Sequence, residues 1–100
     1  MIHVVWEFRV REGMEPEFER RYSSTGAWAR LFGRGEGYEG TELMRDAAEP
    51  RRYVVIDGWR DAACLARFKQ AHAAEYAALD RDCETLTEAE IHLGTFEALP

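Results

Sequence analysis

Residues 2 to 10 alternate without a break: Ile2, Val4, Trp6, Phe8 and Val10 fall on one side, and His3, Val5, Glu7 and Arg9 on the other. A period of two is the signature of a β-strand with one face buried in a core. The chain must therefore build a sheet whose apolar side is covered by something else, and the next segments supply helices to cover it. Pro16 suits a first helical turn, which places a helix start near Glu15, and Phe18, Tyr22, Thr25, Ala29 and Phe32 follow at helical spacing. The weak helix formers Ser23-Ser24-Thr25-Gly26 predict a kink, or a restart capped by Ser24 or Thr25 before Ala27. Gly33 is expected to end that helix in a left-handed conformation.

Two strands follow, "GTELMRD" (40–46) and "RRYVVIDGW" (51–59), joined closely enough to pair as an antiparallel hairpin. Asp61 is placed to cap one long helix from about Ala62 to Cys83, with Leu65, Phe68, His72, Tyr76, Leu79 and Cys83 as its stripe. A last strand, "EAEIHLGTFEAL", closes the chain. The order βαββαβ predicts an α+β, ferredoxin-like fold: a four-stranded antiparallel sheet with two helices on one face. A chain of 100 residues has room for one core, so residues 1–100 form a single domain. The uncovered face, roughly 380 Å² for strands of this length, is more mixed apolar surface than a monomer leaves open. A homodimer is expected, with a hidden face assigned by strand parity to His3, Val5, Glu7, Arg9, Tyr53, Val55, Asp57, Trp59, His92 and Phe96.

The charge balance narrows the partners. Nineteen acidic against 13 basic residues give a net charge of -6, which repels nucleic acid and anionic membrane surfaces. Glu7 and Arg9 interrupt the first ten residues, so they do not read as a signal peptide, and no run reaches the ~18 apolar residues of a membrane span. The expectation is a soluble, cytoplasmic protein. Cys64 and Cys83, about 28 Å apart if one helix carries both, read as free thiols.

Gly35-Glu36-Gly37-Tyr38-Glu39-Gly40 satisfies the dinucleotide pattern G-x-G-x-x-G, but the context is reversed. In a phosphate site a strand enters the loop and a helix leaves it, presenting its N-terminal amides. Here a helix C-terminus enters and a strand leaves, and two glutamates add negative charge. The glycines read as turn formers.

Candidate chemistry gathers on the helix side of the sheet. His72 lies on the buried stripe beside Phe68 and Tyr76, opposite Trp6 and Phe8 of the first strand and Trp28 and Phe32 of the first helix. These aromatics read either as core or as a slot for a flat apolar ligand, and His72 either as a hydrogen-bonded core histidine or as a catalytic base. Asp57 interrupts an apolar strand and needs a partner such as Arg9; Glu7 and His92 form a plausible cross-strand pair. The three histidines lack metal-ligand spacing, and no nucleophile motif is present.

With "VVWEFRV", "GAWARLF…GYEGTELMRD", "IDGWRD" and "FKQAHAAEYAAL" in place, nearly the whole chain resembles the antibiotic biosynthesis monooxygenase family. The most specific marks are Gly37-Tyr38 at the start of the second strand and Trp59 at the end of the third. The resemblance implies a dimeric α+β barrel with a pocket between helices and sheet, and oxygenation of a small aromatic or quinol-like compound with no cofactor. The ionised substrate then passes an electron to dioxygen while the protein binds, desolvates and deprotonates it. In that reading His72 is catalytic and Trp6, Phe8, Trp28, Phe32, Phe68 and Tyr76 bind substrate. The haem-degrading branch differs: Trp6 stands where that branch has asparagine, and alanines near Ala77 and Ala78 where it has a haem-ligand histidine. A haem-binding relative and a non-catalytic small-molecule binding dimer are the alternatives.

Overall fold

The alternating N-terminal segment forms strand β1 (Ile2–Val10) in a computed structural model that describes residues 1–100. The other strands are β2 (Tyr38–Arg45), β3 (Arg52–Trp59) and β4 (Thr87–Glu97). Together they make a four-stranded antiparallel sheet of order β2-β3-β1-β4, the α+β ferredoxin-like arrangement.

The helical layer is more segmented than its sequence pattern. The first helix divides at the predicted place into α1 (Glu15–Tyr22) and α2 (Ala27–Phe32), but Gly26 is the N-cap, with no side-chain bond from Ser24 or Thr25. The expected long helix is two, α3 (Ala62–Ala71) and α4 (Ala73–Cys83), parted at His72, whose φ of -119° and ψ of 30° are not helical. Alanines on both sides favour helix, so the break answers to packing rather than propensity. α3 presses Phe68 onto Trp59 and Phe32, while α4 lays Tyr76 against Trp28. The division also removes the single-helix separation of Cys64 from Cys83; both are buried free thiols. Asp61 does cap α3, its carboxylate accepting from the Cys64 amide at 2.8 Å.

Gly33 keeps a right-handed φ of -61°, so it is not the left-handed residue; Gly37, at φ +89°, is. A Cβ on Gly37 would sit 2.6 Å from Cys64 Sγ, and one on Gly35 would meet Phe68 and Trp59. These glycines let the loop close on α3 and the end of β3, a packing role rather than a phosphate cradle.

The main correction concerns which face β3 shows. Ile2 pairs with Trp59, Val4 with Asp57, Trp6 with Val55 and Phe8 with Tyr53. Directly opposed residues share a face, so Tyr53, Val55, Asp57 and Trp59 lie under the helices and not on the bare side. Parity fails here because Tyr53-Val54-Val55-Ile56 is apolar throughout and sets no phase; a one-residue error then inverts the whole strand. His92 is corrected likewise. A register shift between Val5 and Trp6 puts it opposite Trp6, 5.0 Å between rings, whereas Phe96 stays opposite His3 on the bare side.

Glu7 and Arg9 do belong to the bare face, with different partners from those expected. Arg52 grips both Glu7 oxygens at 3.0 and 3.1 Å, and Arg9 reaches Glu49 at 2.8 Å. The arginine's hydrogen bonds hold the Glu7 carboxyl below its ordinary range. The core under the helices is aromatic: Phe18 stacks on Tyr22 at 4.2 Å, and the buried Trp59 contacts Phe32, Phe68 and Tyr38.

Candidate active site

Between the helices and the sheet the aromatic layer leaves a cleft. Its walls are Trp6 and Phe8 from β1, Val55 and Asp57 from β3, Tyr22 from α1, Trp28 and Phe32 from α2, Tyr76 and Asp80 from α4, and Glu90 from β4. Its enclosed part holds only about 60 Å³, whereas the whole depression with its open mouth measures about 460 Å³. The cavity of about 60 Å³ is well below the usual range for ligand sites, so a ring-sized guest must turn side chains aside at the mouth. Trp28 and Tyr76, in edge contact at 5.1 Å, join α2 to α4 in the cleft wall.

Five of the six aromatic side chains singled out in the sequence meet here: Trp6, Phe8, Trp28, Phe32 and Tyr76. Phe68 does not; it is 2 % exposed and packed in the core between Trp59 and Phe32. His72 also stands outside the cleft. Its ring lies 5.1 Å from Phe68, and its Nδ1 is 3.0 Å from Glu75 Oε2 at the joint between α3 and α4. The cleft side chains not assigned to the slot from sequence are Asp57, Asp80, Glu90 and Tyr22, the last of which stood on the helical stripe. Asp57 was visible as a lone carboxylate in an apolar strand, but its face was misread and its partner is Thr41 rather than Arg9, which pairs with Glu49.

Asp57 is 7 % exposed. Burial pushes its carboxyl up to about 6, against the opposing pull of one hydrogen bond from Thr41. Thr41 Oγ1 donates to Asp57 Oδ1 at 2.6 Å and in turn accepts from the Tyr38 hydroxyl; Asp57 Oδ2 has no partner. Tyr38, at the start of β2, is half-buried, so the chain Tyr38–Thr41–Asp57 runs from the deep carboxylate towards the sheet edge.

Burial raises the Tyr76 hydroxyl above its ordinary value, and the carboxylates of Asp80, Asp57 and Glu90 raise it further. Partial burial, then repulsion from Asp80 and Glu84, raises Glu90. The Trp28 indole N–H is buried and makes no hydrogen bond of normal length, although it faces the Tyr22 hydroxyl. The arrangement offers a flat apolar slot, an indole donor and a carboxylate that changes protonation near neutral pH. Such a set can bind an aromatic ring and take a proton from it. No three His, Cys, Asp or Glu side chains are grouped to hold a metal ion, and no helix is long and apolar enough to cross a membrane.

The fold recurs in solved structures. SnoaB of Streptomyces nogalater, described as a cofactor-independent oxygenase, superposes with a TM-score of 0.80 at 24% identity, over 99% of this chain and 93% of that one. A putative antibiotic biosynthesis monooxygenase from Bordetella bronchiseptica gives 0.79 at 23% identity, over 99% and 97%. A NIPSNAP domain protein from Burkholderia xenovorans gives 0.71 at 17%, over 99% and 95%. No curated protein sequence matches significantly. The family model "Antibiotic biosynthesis monooxygenase" matches residues 1–78, which takes in both marks of the resemblance, Gly37-Tyr38 and Trp59, and all of β1, β2 and β3. The chain belongs to the antibiotic biosynthesis monooxygenase family.

Proposed function

We propose that this protein is a cofactor-independent monooxygenase that oxidises a small aromatic or quinol-like compound with dioxygen in the cleft between helices and sheet. The observation that carries the reading is Asp57, a buried carboxylate whose proton affinity lies near neutral pH, opening onto an aromatic slot. Family membership and the likeness to an oxygenase fold support it.

In this reading Asp57 Oδ2 takes a proton from the acidic O–H or ring C–H of the bound compound. The resulting anion is electron-rich, and in an apolar cleft it has lost the water that would stabilise it. It passes one electron to dioxygen, and the substrate radical and superoxide combine at carbon to form a peroxide. Return of the proton from Asp57 allows the O–O bond to break with loss of water. For a ring CH₂ the balance is CH₂ + O₂ → C=O + H₂O, with the substrate supplying every electron. Thr41 and Tyr38 give Asp57 a hydroxyl path for exchanging its proton with the outside.

A second copy of the chain is the proposed cover for the bare face. That face carries Val5, Val54, Ile56, Ile91 and Phe96, and the last two are 51% and 52% exposed.

Oxygen uptake on an anthrone and hydroquinone panel, without added metal or flavin, tests the function. Asp57→Asn is expected to lower turnover by ~10²- to 10⁴-fold, the usual worth of a positioned general base, while His72→Ala changes it only severalfold. Ring binding without oxygen uptake would make the protein a small-molecule binder instead.

A further inference from the structure

The cleft is acidic as well as aromatic. Asp57 lies at its depth and the exposed Asp80 and Glu90 near its mouth, and no lysine, arginine or histidine lines it. None of these three carboxylates has an ion-pair partner, whereas Glu7, Asp46 and Glu19 elsewhere on the molecule each hold an arginine. Lys69 Nζ is not in the lining and stands 5.9 Å from the Tyr76 ring, reaching it from α3, and the His92 ring packs on Trp6. The carboxylates come from three separate elements and do not converge on a metal position.

The walls also hold one buried polar group left open: the Trp28 indole N–H, on a residue 7 % exposed, makes no normal hydrogen bond within the chain, and an unsatisfied buried donor is costly. Asp57 Oδ2 has no donor from the chain either, but it is not sealed from solvent. A plain hydrocarbon ring would satisfy neither. A ring that enters already anionic would meet three carboxylates and a chain of net charge -6, whereas an anion formed inside by proton transfer leaves Asp57 neutral.

We propose that the cleft takes an aromatic compound carrying a protonated amine and an oxygen substituent, with the ammonium held by the carboxylates and the faces of Trp6 and Trp28. Ring faces and carboxylates attract a diffuse cation by the same sign of field. The oxygen accepts from the Trp28 indole. A bound ammonium also relieves the repulsion that lifts Glu90 and favours the ionised, proton-accepting form of Asp57. This inference rests on the cleft being the substrate site and adds the charge of what enters it.

The test uses isotope-labelled protein and three single-ring probes of matched shape, benzylamine, benzyl alcohol and benzoate, followed by the NMR signal of the Trp28 indole. At pH about 8 benzylamine carries its ammonium charge, and it should bind about tenfold tighter than the alcohol, with benzoate weakest of all. Glu90→Gln and Asp80→Asn should each cut the amine's lead severalfold while leaving the alcohol's affinity in place, which also shows that the variants are folded. Alcohol or benzoate binding as tightly as the amine overturns the amine proposal but leaves the cleft as a ring site. No binding by any of the three overturns both.

Discussion

Thr41 on β2 donates to Asp57 on β3 across 2.6 Å, and this is the one hydrogen bond made by a carboxylate that is 7 % exposed. Its consequence for stability has a definite sign. Asp57 titrates at about 6 when folded against an ordinary 3.8, so its neutral form suits the folded state. Its penalty is absent below pH about 4, grows as the pH rises through about 6, and then stays constant at about 3 kcal/mol, an upper bound. Asp57→Asn keeps the shape and removes the charge. The variant should therefore be more stable than the wild type at pH 8 and close to it at pH 3.5, with denaturant midpoints as the measurement. Lowered carboxyls such as Glu7, Asp46 and Asp61 act in the opposite direction, but they are common to both proteins and cancel in the difference. Equal gaps at both pH values would contradict the burial of a charge at this site.

The glycine loop makes a structural prediction. Gly37 combines φ +89° with a would-be Cβ 2.6 Å from Cys64 Sγ. Gly37→Ala should cost about 2 kcal/mol or more, from backbone strain and from displacing the start of α3. Gly40 is also left-handed, at φ +120°, but nothing lies within 4 Å of the Cβ position. Gly40→Ala should therefore cost less, and thermal melts of the two variants rank them directly.

On the bare face, Ile56 lies between Val5 of β1 and Glu42 of β2 in the sheet register. If a second copy covers this face, Ile56→Glu places a carboxylate against apolar surface and should shift light scattering towards the 11.5 kDa monomer with little change in the far-ultraviolet spectrum. A monomeric wild type at micromolar concentration would remove the dimer from the account.

The order of elements was legible because each carries a local signal: alternation in β1, Pro16 at the start of α1, Asp61 before α3. Of the cleft's aromatic rings, Trp6, Phe8, Tyr22, Phe32 and Tyr76 stand on clear stripes, whereas Trp28 lies beside the stripe of its helix. What could not be read depended on partners. The face of β3 is set by its pairing with β1 and the orientation of His92 by an irregularity in β4, neither of which leaves a mark in the periodicity of its own strand. The break at His72 is likewise imposed by two packing surfaces on a segment whose alanines favour continuous helix. The histidine was the conspicuous candidate base by residue type, yet the structure opens the cleft onto the aspartate.

The account turns on Asp57 being a buried acid beneath the helices. Following its carboxyl carbon by NMR through a pH titration tests this directly. The predicted midpoint is about 6, moving higher in Thr41→Val as the hydrogen bond that pulls it down is lost. A midpoint at the ordinary 3.8, unchanged in Thr41→Val, would contradict it.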